Sequence, residues 1–144
     1  MPLTTVYANK VLNYIFGKEG LTKPTAVYIA LSTNDPEADG GVFEELTGNT
    51  YERVLLMNNS GDTNLMGSAS ERTITNAKQI NWTKATGAWP TANGFGIYTA
   101  KTGGELIYYG KLDSPVTVSA EAVALFDPGT LRISFAAVDT NAVV

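Results

Sequence analysis

A mainly β fold is expected: an antiparallel β-sandwich, jelly-roll-like or Ig-like, with a short N-terminal α-helix. Three observations predict it. Apolar residues from position 27 onward recur in short runs, often alternating with polar or glycine residues, as half-buried strands require. Gly, Pro, Asn and Asp punctuate those runs at short intervals. Only one segment, near the N-terminus, carries apolar residues at helical spacing. A chain of 144 residues suffices for one domain, residues 1–144, with a real core.

Residues 4–16 read as the helix. Thr4 or Thr5 serves as N-cap, Gly17 terminates it, and Tyr7, Ala8, Val11, Leu12 and Ile15 fall on one side. Such a stripe must cover something. Packing over one end of a sheet is the ordinary fate; docking into a partner subunit through Tyr7 and Val11 is the alternative.

Val27 to Leu31 is a near-continuous apolar run, as in a strand covered on both faces. Residues 33–41 are turn and loop formers, and Tyr51 to Met57 reads as a second strand. Residues 58–70 form a long polar loop, and Arg72 to Asn76 a short third strand. Phe95, Ile97 and Thr99 alternate with Gly94, Gly96 and Tyr98. After Lys101-Thr102-Gly103-Gly104, Leu106 and Tyr108 alternate with Ile107 and Tyr109, which predicts a hairpin. Val116 and Val118 follow Pro115. Val123, Leu125 and Phe126 precede the Asp127-Pro128-Gly129-Thr130 turn, and Leu131, Ile133 and Phe135 alternate beyond it.

Composition narrows the chemistry. The chain has no cysteine and no histidine, which removes thiolate sites, disulfides, the commonest general base and the commonest transition-metal ligand. Net charge is −4, and the ten basic residues form no stripe, so no nucleic-acid partner is expected. No apolar run is long enough for a membrane span, and no basic stretch followed by an apolar one suggests a secretory signal.

The acidic loop Asp35-Pro36-Glu37-Ala38-Asp39-Gly40 begins like a calcium loop, but its twelfth position is Leu46 rather than a bidentate Glu. A solvated acidic turn is the better reading. Glu44, Glu45 and Glu52 include enough carboxylates for hydrolysis, yet nothing in their spacing holds a pair across a cleft. Arg53 offers them a salt bridge instead. No catalytic residue, metal or cofactor is therefore expected. Trp82, Trp89 and seven tyrosines fill a core or supply a sugar-binding platform. Leu65 and Met66, inside the polar loop, and the tail 137–144 with Val143 and Val144 are candidate interaction arms.

Taken in order, several of these features resemble a family of small tailed-phage virion proteins. They are the helix ending in Phe16-Gly17, the strand and turn Tyr28 to Pro36, and Glu45 with Tyr51-Glu52-Arg53. Trp89, Gly96-Ile97-Tyr98, the Gly103 to Gly110 hairpin and the Leu112 to Val118 step complete the order. Pro90 after Trp89, Ala120-Glu121-Ala122 in place of a glycine turn, and a long segment at 55–70 depart from the family pattern. The resemblance implies a virion structural protein without catalytic residues. The first expectation is a head decoration, or cement, protein on the capsid exterior. Its partners would be the major capsid protein and copies of itself, as a dimer or trimer. A tail-fibre, baseplate or minor tail protein, with a glycan-binding surface and tail partners, is the alternative.

Overall fold

A computed structural model describes residues 3–135. The tail 137–144, with Val143 and Val144, lies outside them. The order is helix α1 (Thr5–Ile15), then β1 (Ala26–Ser32), β2 (Val54–Asn58), β3 (Thr73–Thr75) and β4 (Ile80–Asn81). There follow β5 (Ala92–Tyr98), β6 (Leu106–Val116), β7 (Leu125–Phe126) and β8 (Arg132–Ser134).

The helix begins and ends where its sequence dictates. The Thr4 hydroxyl accepts from the Tyr7 N–H as N-cap. Gly17 takes φ +72°, and its N–H and that of Lys18 return to the Tyr14 and Asn13 carbonyls. This is the paired closure that a left-handed residue after a helix permits.

β2, β1, β5 and β6 form a four-stranded antiparallel sheet in that order. β3 pairs with β8 and β4 with β7 as two antiparallel ribbons. Leu131 and Ile80, from the ribbon segments, join Ile29, Leu31, Phe95, Ile97 and Tyr108 of the sheet in one core. The sandwich therefore has unequal layers: a sheet on one side and two short ribbons on the other.

Residues opposite one another on β1 and β5 alternate strictly. Ile29 faces Ile97 and Leu31 faces Phe95 on the core side; Ala30 faces Gly96 and Ser32 faces Gly94 on the other. That second face is closed by the chain between β1 and β2. A Cβ on Gly94 would lie 2.4 Å from Pro36 Cδ and 2.5 Å from Ser32 Oγ, and one on Gly96 would lie 2.7 Å from the Phe43 ring. The glycines are sockets into which Pro36 and Phe43 fit. Burial of β1 on both faces, predicted from its unbroken apolar run, follows from this arrangement.

β6 runs through Pro115 to Val116, which pairs with Ala92. β6 is the last strand in the sheet order, where a missing N–H is tolerated. β4, two residues long, carries too short a pattern to be read from sequence.

The Asp127-Pro128-Gly129-Thr130 turn forms as expected, with Gly129 at φ +82°. Its anchor is Asn76, a buried side chain. The Asn76 amide donates to the Lys78 and Asp127 carbonyls, and its oxygen accepts from the Leu131 N–H.

Candidate functional site

Of the carboxylates near β2, Glu45 is held in a part-buried knot. Arg53 donates from Nε and Nη2 to the two Glu45 oxygens, each at 2.9 Å. Its Nη1 donates to the carbonyls of Ala100 and Gly103 in the β5–β6 turn, and its guanidinium lies 3.6 Å from the centre of the Tyr98 ring. Tyr51 Oη donates to Glu45 at 2.9 Å and accepts from the Leu31 N–H of β1. Burial pushes the Tyr51 hydroxyl far above the ordinary tyrosine range, and the Glu45 charge adds to it. The fork geometry of arginine satisfies a carboxylate and two loop carbonyls at once. This knot ties β1, β2 and the hairpin turn together. Glu52 accepts from Thr83 and pairs with Lys101, while Glu44 is fixed through its backbone to Asn34 and Thr33.

The acidic loop is likewise internal architecture. Asp35 accepts from the Glu37 and Ala38 N–H groups, and Asp39 accepts from the Asn34 amide. Asn34 also donates to the Val42 carbonyl and accepts from the Glu44 N–H. Glu37 accepts from the Lys111 N–H of β6. These bonds fold the loop over the glycine face of the sheet.

Trp89 and Trp82 belong to the core and are 4% and 3% exposed, so neither forms part of a surface sugar platform. The Trp89 indole N–H donates to the Asn49 carbonyl at 2.9 Å, and its ring meets Tyr51 edge-on. Asn49 and Thr50 both hold positive φ, which asparagine tolerates but a β-branched threonine rarely adopts. The bond from Trp89, with others from Thr86 to Asn49 and from Thr50 to Lys84, holds them there. Glu121 stands at φ +70° in the segment where the family pattern expects glycine, and its N–H bonds to Ala85.

Leu65 and Met66 are not free arms. Leu65 bonds through its backbone to Leu56 of β2 and to Ala77, and Met66 bridges to Asn76. Both side chains are half-buried against the core. The polar residues around them hid this role, because the pairing that turns them inward comes from distant strands.

Two apolar features remain open. A groove of about 360 Å³ runs between the sheet and the β3–β8 ribbon, lined by Leu3, Val27, Ile97, Ile107, Ile133 and Phe135. The hydroxyl of Tyr108, also on its wall, is spent on the Ser134 backbone. The groove therefore lacks the set of convergent polar groups that orients a small ligand. The second feature is α1. Thr4 bonds to Leu106 and Ile107 at the β6 edge, and Lys10 pairs with Glu105 at 2.8 Å. Yet no α1 residue is fully buried. Tyr7 and Val11 are half-buried, whereas Leu12 and Ile15, on the same predicted stripe, are exposed. The helix is fastened to the sheet edge rather than laid over the core.

Among the described residues no cluster of acidic side chains could hold a metal ion, and no helix is long and apolar enough to cross a membrane. Comparison with protein families gives a match over residues 2–134 to the family described as podophage GP4 fiber I protein gp80. A search of curated proteins finds no match. With nearly the whole length aligned, in keeping with the order of motifs read from the sequence, the chain belongs to the podophage GP4 fiber I protein gp80 family and is a bacteriophage virion structural protein.

Proposed function

We propose that this protein is a structural component of the phage tail fibre, made for assembly and not for catalysis. The observation that carries the reading is the family match, which spans residues 2–134 and whose description is that of a fiber protein. It favours the tail over the head decoration role that the sequence first suggested. The geometry agrees with a structural part. The Glu45–Arg53 pair and the acidic loop spend their polar groups on holding the fold together, while apolar surface stays open at α1. The expected partners are other tail proteins and further copies of the chain.

Copy number in purified virions tests this. A fibre component is present in a small number set by the tail's symmetry, far below the major capsid protein. A ratio near unity, or another simple lattice fraction of the capsid, would return the protein to the head and sink the proposal.

A further inference from the structure

The groove beside the β3–β8 ribbon is an open end of the core. Val27, Ile97 and Ile107 of the sheet line it from one side, and Ile74 and Ile133 of the ribbon from the other. Two of its lining residues, Ile97 and Tyr108, belong to the buried core itself. At about 360 Å³ it has room for on the order of ten waters, and its apolar walls offer them few partners. Such a cleft is better filled by apolar side chains than by water.

Three observations point to its occupant. The first is where the described chain stops. Phe135, 57% exposed, lines the groove, and its N–H bonds to the carbonyl of Arg72, another lining residue. The chain beyond Phe135 therefore starts at the mouth of the groove. The second is the sequence that follows. Two apolar triplets, Ala136-Ala137-Val138 and Ala142-Val143-Val144, flank the polar triplet Asp139-Thr140-Asn141. Asp and Asn are turn formers, and a reversal there returns the second triplet toward the first. The third is charge. Arg72 is the sole charged residue among those that line the groove, and its guanidinium makes no ion pair among the described residues. Asp139 is the sole charged side chain in residues 136–144, at most about 14 Å of chain beyond Phe135.

We infer that residues 136–144 of the same chain occupy this groove, with their valines against its apolar walls and Asp139 paired with Arg72 at the rim. Attachment at the rim makes the contact intramolecular, so it forms at high effective concentration and does not depend on how much protein is present. Valine burial holds the segment down, while the exposed ion pair contributes register more than stability.

Cross-linking of the purified full-length chain tests the inference. The chain has no cysteine, so Ala69→Cys on the groove wall with Val143→Cys gives a sole pair of thiols. A short bismaleimide should join them within one chain, at several times the yield of a Thr91→Cys/Val143→Cys control. Thr91 precedes β5 at the end away from Ile97, about 20 Å along the strand. In the 69–143 pair, Arg72→Asp and Asp139→Arg should each lower the yield a few-fold, and the two together should restore it. Ala69, Arg72 and Thr91 are exposed, and aspartate tolerates the positive φ of position 72, so the variants keep the fold. Equal yields from the 69–143 and 91–143 pairs overturn the inference. So does a product of twice the chain's mass in place of the intramolecular one, which would put the segment on a neighbouring copy. A yield that either reversal leaves unchanged, or that the double reversal fails to restore, overturns it as well. All of these are read on the isolated chain, so they are independent of where the protein sits on the virion.

Discussion

The β1–β5 seam and α1 treat apolar residues in opposite ways. Along the seam every residue from Ile29 to Ser32 is buried, one face against the ribbons and the other under Pro36 and Phe43 seated on glycines. On α1 no residue is buried, although Leu12, Ile15 and Phe16 are as apolar as anything in the core. The seam satisfies its own surface within one chain. The helix holds a surface that a single chain leaves unsatisfied. The seam carries the fold while the helix leaves apolar surface over, so substitutions at the two should differ sharply in their effect on stability.

Trp89→Ala should break the seam side most severely. It removes a buried ring, its contact with Tyr51 and the bond that holds Asn49. A loss of about 3–5 kcal/mol, visible as a large drop in the urea midpoint or as aggregation, is expected. A folded variant of unchanged stability would show that the ring is not core. Gly94→Ala comes next. Its methyl must displace Pro36 and the Asn34 carbonyl, which lie 2.4 and 2.9 Å away, at a cost of about 1–3 kcal/mol in the same assay.

The tyrosines give a pH test of the seam. Burial shifts the ionisation of Tyr51, Tyr98 and Tyr108 to higher pH in the folded chain. The unfolded chain releases these protons near pH 10 and the native one resists, so the stabilisation is intact below about pH 10 and declines as pH rises beyond it. The urea midpoint should fall above that pH by the equivalent of about 1 kcal/mol or more, and Tyr51→Phe should make the decline shallower. With no histidine in the chain, no imidazole contributes a slope near neutrality. Smallest of all is Leu12→Glu, on the exposed stripe. It should move the stability of the monomer by no more than about 0.5 kcal/mol, as measured by urea unfolding under conditions where the chain is monomeric.

Much of this contrast was legible in the sequence. The unbroken run Val27 to Leu31 announced a strand covered on both sides. Gly17, Gly103-Gly104 and Asp127 to Thr130 marked their turns because each carries its conformational requirement in a few adjacent residues. What covers the second face was not legible. Nothing local says that Pro36 and Phe43 enter gaps at Gly94 and Gly96, some fifty residues later, nor that Asn76 anchors the turn at Asp127. The same holds for Leu65 and Met66, whose inward orientation depends on backbone pairing with β2 and with residues 75–77. The helix stripe was read correctly as apolar, but its partner is not coded nearby, and the sheet takes only its edge. For the candidate site, the pairing of Glu45 with Arg53 was foreseeable, while the Tyr51 and Tyr98 contacts that enclose it needed the fold.

Position on the particle is the most direct test of the central claim. Antibody raised against the purified chain and imaged on intact virions by immunogold electron microscopy should label the tail fibres and leave the capsid surface bare. Gold distributed over the head, with none on the tail, would contradict the account.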